Sequence, residues 1–167
     1  MLWSEGRIAA GEPIRFASAS GPLAARPGPE GLDQPGGRAH RLGRGRFDYL
    51  VELEDEAAVR DLAPDLRWLG RLTPESVGVI VTAAAAGRDG YDFVSRYFAP
   101  AAGIDEDPVT GSAHCALGPF WAGRLGRDEL TGFQASARGG LVQVRPAGDR
   151  VHLGGRAVTV LRGQLVA

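Results

Sequence analysis

Apolar and polar residues alternate in short runs along much of the chain. Ile14-Arg15-Phe16-Ala17-Ser18 has the alternation of a half-buried strand, and Ser20-Gly21-Pro22 then turns it into Leu23-Ala24-Ala25-Arg26, which predicts a hairpin. Residues 27–46 are rich in Gly, Pro and Arg with few apolar anchors, and are expected to form a loop or lobe junction. A strand follows at 47–53. Glu54-Asp55-Glu56 then places acids where a helix dipole favours them, opening a helix to about residue 62, and 65–69 forms a second short helix after Pro64. Val77-Gly78-Val79-Ile80-Val81-Thr82 predicts a buried strand and residues 92–98 another. Residues 110–125 make the longest helix. Its apolar positions lie almost all round, which predicts a buried helix, and Pro119 predicts a bend or break near Gly118. The end is β-rich, with strands expected at 130–137, 141–144, 149–153 and 157–161. The whole reads as an α+β fold, a curled antiparallel sheet about a central buried helix.

Composition changes this picture mainly by exclusion. The chain has 167 residues and a net charge of -1, which gives no general reason to bind nucleic acid or an anionic membrane. It contains no Lys, so a P-loop lysine and a Schiff base are both excluded. Cys115 is the single cysteine, which excludes an internal disulfide and a zinc site of several thiolates. It reads as a small core residue. The first thirteen residues lack the basic flank and apolar run of a signal peptide, and no apolar stretch is long enough to span a membrane, so a cytoplasmic protein is expected. His40, His114 and His152 show no metal spacing, and Trp3, Trp68 and Trp121 read as core or lobe contacts.

The chemistry concentrates in Gly103-Ile104-Asp105-Glu106-Asp107-Pro108-Val109-Thr110-Gly111-Ser112-Ala113-His114. A helix start carries backbone N–H groups without internal partners and the positive end of the dipole. Gly111 lets a ligand approach the main chain, and Thr110 or Ser112 can cap or donate. An anion would fit there but for the repulsion of Asp107. A zwitterion resolves the conflict, with its carboxylate on the helix N–H groups and its ammonium on Asp107. The same pattern also suits a purely structural start, in which the acids serve the dipole and Thr-Gly-Ser caps the helix. The residues by themselves leave both readings open.

Asp105-Glu106-Asp107-Pro108-Val109-Thr110-Gly111-Ser112-Ala113-His114-Cys115-Ala116-Leu117 resembles the signature of the PhzF-like (phenazine biosynthesis) family. Asp92-Phe93-Val94-Ser95-Arg96-Tyr97-Phe98-Ala99-Pro100 before it and Gln134-Ala135-Ser136-Ala137-Arg138-Gly139-Gly140 after it agree. The resemblance runs from about Phe47 to the C-terminus and more faintly over 1–26. It implies a diaminopimelate-epimerase-like fold of two similar lobes with the active site between them. It also implies cofactor-independent isomerisation or epimerisation by proton transfer next to a carboxylate. Asp107 matches the family's active-site Asp, which contacts the substrate amino group, and Gly111 and Ser112 match the helix-start residues that hold the carboxylate.

Read this way, residues 1–46 are a remnant of a first lobe plus a junction, 47–155 a complete C-terminal lobe, and 156–167 a final strand. The family's catalytic Glu and its Gly-His motif have no match, and Glu5, Glu12 and Glu30 do not supply one. Met1-Leu2-Trp3-Ser4-Glu5-Gly6 resembles the end of the first-lobe helix, so an N-terminally truncated bacterial chain is expected. The expected function is an isomerase acting on a small amino-acid-like substrate, with Asp107 catalytic, Asp107, Thr110, Gly111 and Ser112 binding substrate, no cofactor and no metal. A homodimer is suggested by the resemblance. The alternative is a catalytically inactive remnant that binds a small carboxylate or a partner chain.

Overall fold

The computed structural model describes residues 48–71, 78–87, 90–157, 159 and 164, and the backbone course of 14–18, 21–26, 34–35, 39–44 and 72. Strands β1 (Ile14–Ser18), β2 (Gly21–Arg26) and β3 (Gln34–Pro35) pair antiparallel in a small sheet. The hairpin expected at 14–26 is therefore present. The main sheet contains β4 (Ala39–Arg44), β5 (Asp48–Leu53), β6 (Gly78–Ala84), β7 (Phe93–Phe98), β8 (Leu130–Gln134), β9 (Gly140–Ala147) and β10 (Arg150–Gly154), in the order β10-β9-β8-β7-β6-β5-β4. β4 corrects the reading of 27–46 as loop throughout. It pairs antiparallel with β5 through its backbone, which needs no apolar alternation.

The sheet is mixed, not antiparallel as expected, because β5–β6 and β7–β8 are parallel pairs. Each needs a long crossover. Helices α1 (Glu56–Arg60) and α2 (Leu66–Leu72) make the first; a 3-10 turn at Pro100–Ala102 and helix α3 (Gly111–Leu125) make the second. Alternate residues of a strand face opposite ways, so the sheet buries both sides. Tyr49, Val51, Val79 and Val81 pack with Ala58 and Val59 of α1. Leu50, Ile80 and Phe93 pack on the other side with Ala113, Leu117 and Trp121 of α3. The sheet stays open, with β4 and β10 as its edges, and is not strongly curled about a central helix.

Helix α3 also departs from the expected all-round burial. Ala113, Leu117 and Trp121 are buried, whereas Ser112, Cys115 and Pro119 form an exposed face. Cys115 is therefore not a core residue. The helix runs unbroken through Pro119. The proline removes the hydrogen bond to the Cys115 carbonyl, and both residues lie on the exposed side, where water can satisfy that carbonyl. Gly118 lets the helix sit close on the sheet; a Cβ there would stand 3.2 Å from Val151 Cγ1. Past β10, Ala157 and Thr159 belong to no strand, contrary to the strand expected at 157–161, whose other residues lie outside those described. The helix end expected at Met1–Gly6, Trp3 and the His40 side chain also lie outside them.

Candidate active site

The approach to α3 is fixed from both ends. Asp107 N–H donates to the Tyr97 carbonyl at 3.0 Å, continuing from β7. The three consecutive acids then separate. Asp105 is exposed, and Glu106 takes a two-pronged contact from Arg96, at 2.7 and 3.0 Å. Arg96 also donates to the Leu62 carbonyl at 2.5 Å, so this pair ties the acidic turn to the chain just after α1. Asp107 is partly buried, and among the described residues no cation pairs with it. Its Oδ2 accepts the Thr110 hydroxyl at 2.5 Å.

Thr110 occupies the N-cap position of α3 with extended backbone, yet its side chain makes no capping hydrogen bond, among the described residues no other side chain caps the helix, and its first turn holds no acid. A helix start leaves the N–H groups of Gly111, Ser112 and Ala113 without intrahelical acceptors. Gly111 and Ser112 are exposed. Sequence reasoning allowed Thr110 to cap or to donate, and here it donates, to Asp107. The structure thus brings Asp107 and Thr110 into direct contact, with Gly111 and Ser112 beginning the helix next to them.

Gln134 was not among the predicted site residues, and it organises the site. Fully buried at the end of β8, its Nε2 donates to the Asp107 carbonyl at 2.6 Å and to Thr110 Oγ1 at 3.1 Å. Its Oε1 accepts Thr110 N–H at 2.8 Å. Ser136 follows, with its hydroxyl donating to the Pro108 carbonyl at 2.7 Å. The signal for Gln134 lay in the alternation of β8. Leu130, Gly132 and Gln134 share the buried face, and a polar residue on such a face must find hydrogen-bond partners.

His114 is buried beneath the first turn, and its Nδ1–H donates to the Thr110 carbonyl at 2.8 Å. A carbonyl only accepts, so this fixes the Nδ1–H tautomer. Burial lowers the His114 pKa against the smaller effect of that hydrogen bond, and the ring stays neutral. Its Nε2 is buried without a partner. His114 faces inward while Cys115 faces solvent, so the two form no dyad. Tyr97 remains protonated: burial first, then the Asp48 carboxylate it donates to at 2.8 Å, push its hydroxyl well above the usual range.

Beside the helix start lies a cleft of about 830 Å³ whose lining includes Val109, Gly111, Leu141 and Leu153, with Arg138 and Arg156. Of the four sequence-predicted site residues, Gly111 lines it. Among the described residues no group of three His, Cys, Asp or Glu could hold a metal ion, and no helix is long and apolar enough to cross a membrane.

Comparison with known proteins finds matches over most of the chain. The profile of the family described as phenazine biosynthesis-like protein matches residues 32–163. An uncharacterized isomerase of Halalkalibacterium halodurans is 40% identical over 99% of this chain and 69% of its own length. One from Pseudomonas aeruginosa is 54% identical over 70% of this chain, and the match spans 42% of that relative. Among solved structures, a PhzF-family phenazine biosynthesis protein of Enterococcus faecalis superposes with a TM-score of 0.65 at 34% identity, covering 92% of this chain and 65% of that one. A PhzC/PhzF protein of Clostridium difficile gives 0.66 at 28% identity, covering 99% and 70%.

Proposed function

The chain belongs to the PhzF (phenazine biosynthesis-like) family, whose relatives here are named isomerases, and from that premise we propose that the start of α3 binds a small amino-acid-like substrate for cofactor-independent proton transfer next to its carboxylate. The observation that carries this reading is the diverted Thr110 hydroxyl. A threonine at the N-cap would ordinarily close the helix end. Here it turns to Asp107 instead, so uncapped N–H groups and a carboxylate stand side by side. The N–H groups suit a substrate carboxylate. Asp107 suits the ammonium, and its proximity to the reacting carbon gives it an acid–base role. Thr110 orients Asp107; Gly111 and Ser112 present the helix N–H groups.

A second reading, binding without turnover, has its own support. Apart from the acid–base role given to Asp107, every role just named is a binding or orienting one, and the family's catalytic Glu has no match in the sequence. One experiment separates the two: the chain is incubated in deuterated water with a panel of L-amino acids, and Cα deuterium is measured by mass spectrometry. The isomerase reading expects enzyme-dependent incorporation that Asp107→Asn abolishes. Binding without incorporation favours the second reading, and neither binding nor incorporation overturns both.

A further inference from the structure

We propose that Gln134 is a positioning residue that keeps the mouth of α3 open. A threonine hydroxyl has one proton to donate and two lone pairs to accept with. As an N-cap it would accept from the N–H of the second or third helical residue, here Ser112 or Ala113. In this structure the proton goes to Asp107, and the Gln134 Nε2–H, at 3.1 Å, occupies an acceptor position on the same oxygen. The other end of the amide holds Thr110 N–H at 2.8 Å, fixing the backbone from which the hydroxyl projects, while the two contacts on the hydroxyl itself hold it toward Asp107 and Gln134. The remaining Nε2 hydrogen holds the Asp107 carbonyl at 2.6 Å.

One amide group therefore sets both halves of the proposed site: where the carboxylate of Asp107 stands, and whether the helix N–H groups are free. No other side-chain type of this size carries a donor pair and an acceptor in that arrangement. Gln134 has no exposure of its own, so its action on any ligand is exerted through Asp107 and Thr110. The consequence for the reaction rests on the function proposed above. The hydrogen-bond geometry does not, and it is tested without a ligand.

The test is amide hydrogen exchange of the ligand-free chain, read residue by residue by NMR. Gln134→Met should let Thr110 Oγ1 turn onto its own helix, slowing exchange at Ser112 and Ala113 roughly fivefold, the protection given by a typical N-cap hydrogen bond. Gln134→Met/Thr110→Val should return those two amides to their original rates. A residue that merely supports the fold would give faster exchange throughout and no rescue. Thr110→Val keeps the inference falsifiable if Gln134→Met does not fold. In the otherwise unaltered chain it should leave Ser112 and Ala113 unchanged, because the hydroxyl does not cap. Faster exchange at those two amides in Thr110→Val, or unchanged exchange in folded Gln134→Met, would overturn the proposal while leaving the deuterium-incorporation test of function standing.

Discussion

Helices α1 and α3 lie on opposite faces of one sheet, and their first turns are finished in opposite ways. Asp55 caps α1, accepting Ala58 N–H at 2.7 Å, and Glu56 fills the first turn. Glu56 in turn accepts from Tyr91, from Arg60 at 2.7 Å and from Ala86 N–H at 3.0 Å. The start of α1 thus has a side-chain cap and a fully engaged first-turn acid. α3 has a competent cap residue and acids directly upstream, yet among the described residues no side chain caps its N–H groups, and its acids are turned to Arg96, to Thr110 or to solvent. Capping contributes about 1 kcal/mol to a helix. On the function proposed above, α3 forgoes this contribution and leaves its N–H groups to a ligand.

The largest expected contrast comes from the acids. Asp107→Asn should lower Cα deuterium incorporation by about 10²- to 10⁴-fold, the usual contribution of a positioned acid or base, with little change in Tm. Asp55→Ala should do the reverse. It should destabilise the fold by about 1 kcal/mol in urea denaturation and leave incorporation unchanged. If both variants lost stability equally, the two helix starts would be equivalent and the comparison would fail.

A smaller effect of opposite sign is expected at Gly111. A Cβ there would meet only Leu153 Cδ1, at 3.7 Å, an ordinary contact. Gly111→Ala should therefore stabilise the chain by about 0.4–1 kcal/mol, by reducing the freedom of the unfolded backbone, while weakening ligand binding by narrowing the mouth. Stability and binding moving together would contradict this.

The finest separation is by pH. His114, beneath α3, has its pKa lowered by burial below the ordinary 6.5. The unfolded chain then takes up the proton first, so stability is fully present above 6.5 and declines as pH falls below it. Burial works to raise the Glu56 pKa, but the hydrogen bonds from Tyr91, Ala86 N–H and Arg60 outweigh it, so the pKa is lowered below the ordinary 4.5. The stability it contributes is present above 4.5 and lost as pH falls through its lowered value. Urea midpoints should thus decline in two stages on acidification. His114→Leu should remove the first and Glu56→Gln the second.

Most of the strands were legible as short apolar or alternating runs rich in β-branched and aromatic residues. Residues 48–53, 78–84 and 93–98 form strands where the pattern placed them. Pairing direction was not legible, because it is set by the crossovers carrying α1, α2 and α3, and short Gly-rich turns elsewhere favoured an antiparallel expectation. α3 misled for a different reason. Cys115 and Pro119 count as apolar or neutral in a pattern, yet they are small or already lack a donor, and they sit exposed at little cost. At the site, Asp107, Thr110, Gly111 and Ser112 were legible as a helix start. The direction of the Thr110 hydroxyl was not, since it depends on Gln134, 24 residues away.

The most direct test is an NMR titration of the chain with L-amino acids, each paired with its des-amino acid, following the Gly111 and Ser112 amides. The account predicts saturable shifts at these amides, with the amino acid binding at least about tenfold tighter than its partner, as expected for a charged hydrogen bond to Asp107. Equal affinity for the two, or shifts that bypass Gly111 and Ser112, would contradict it.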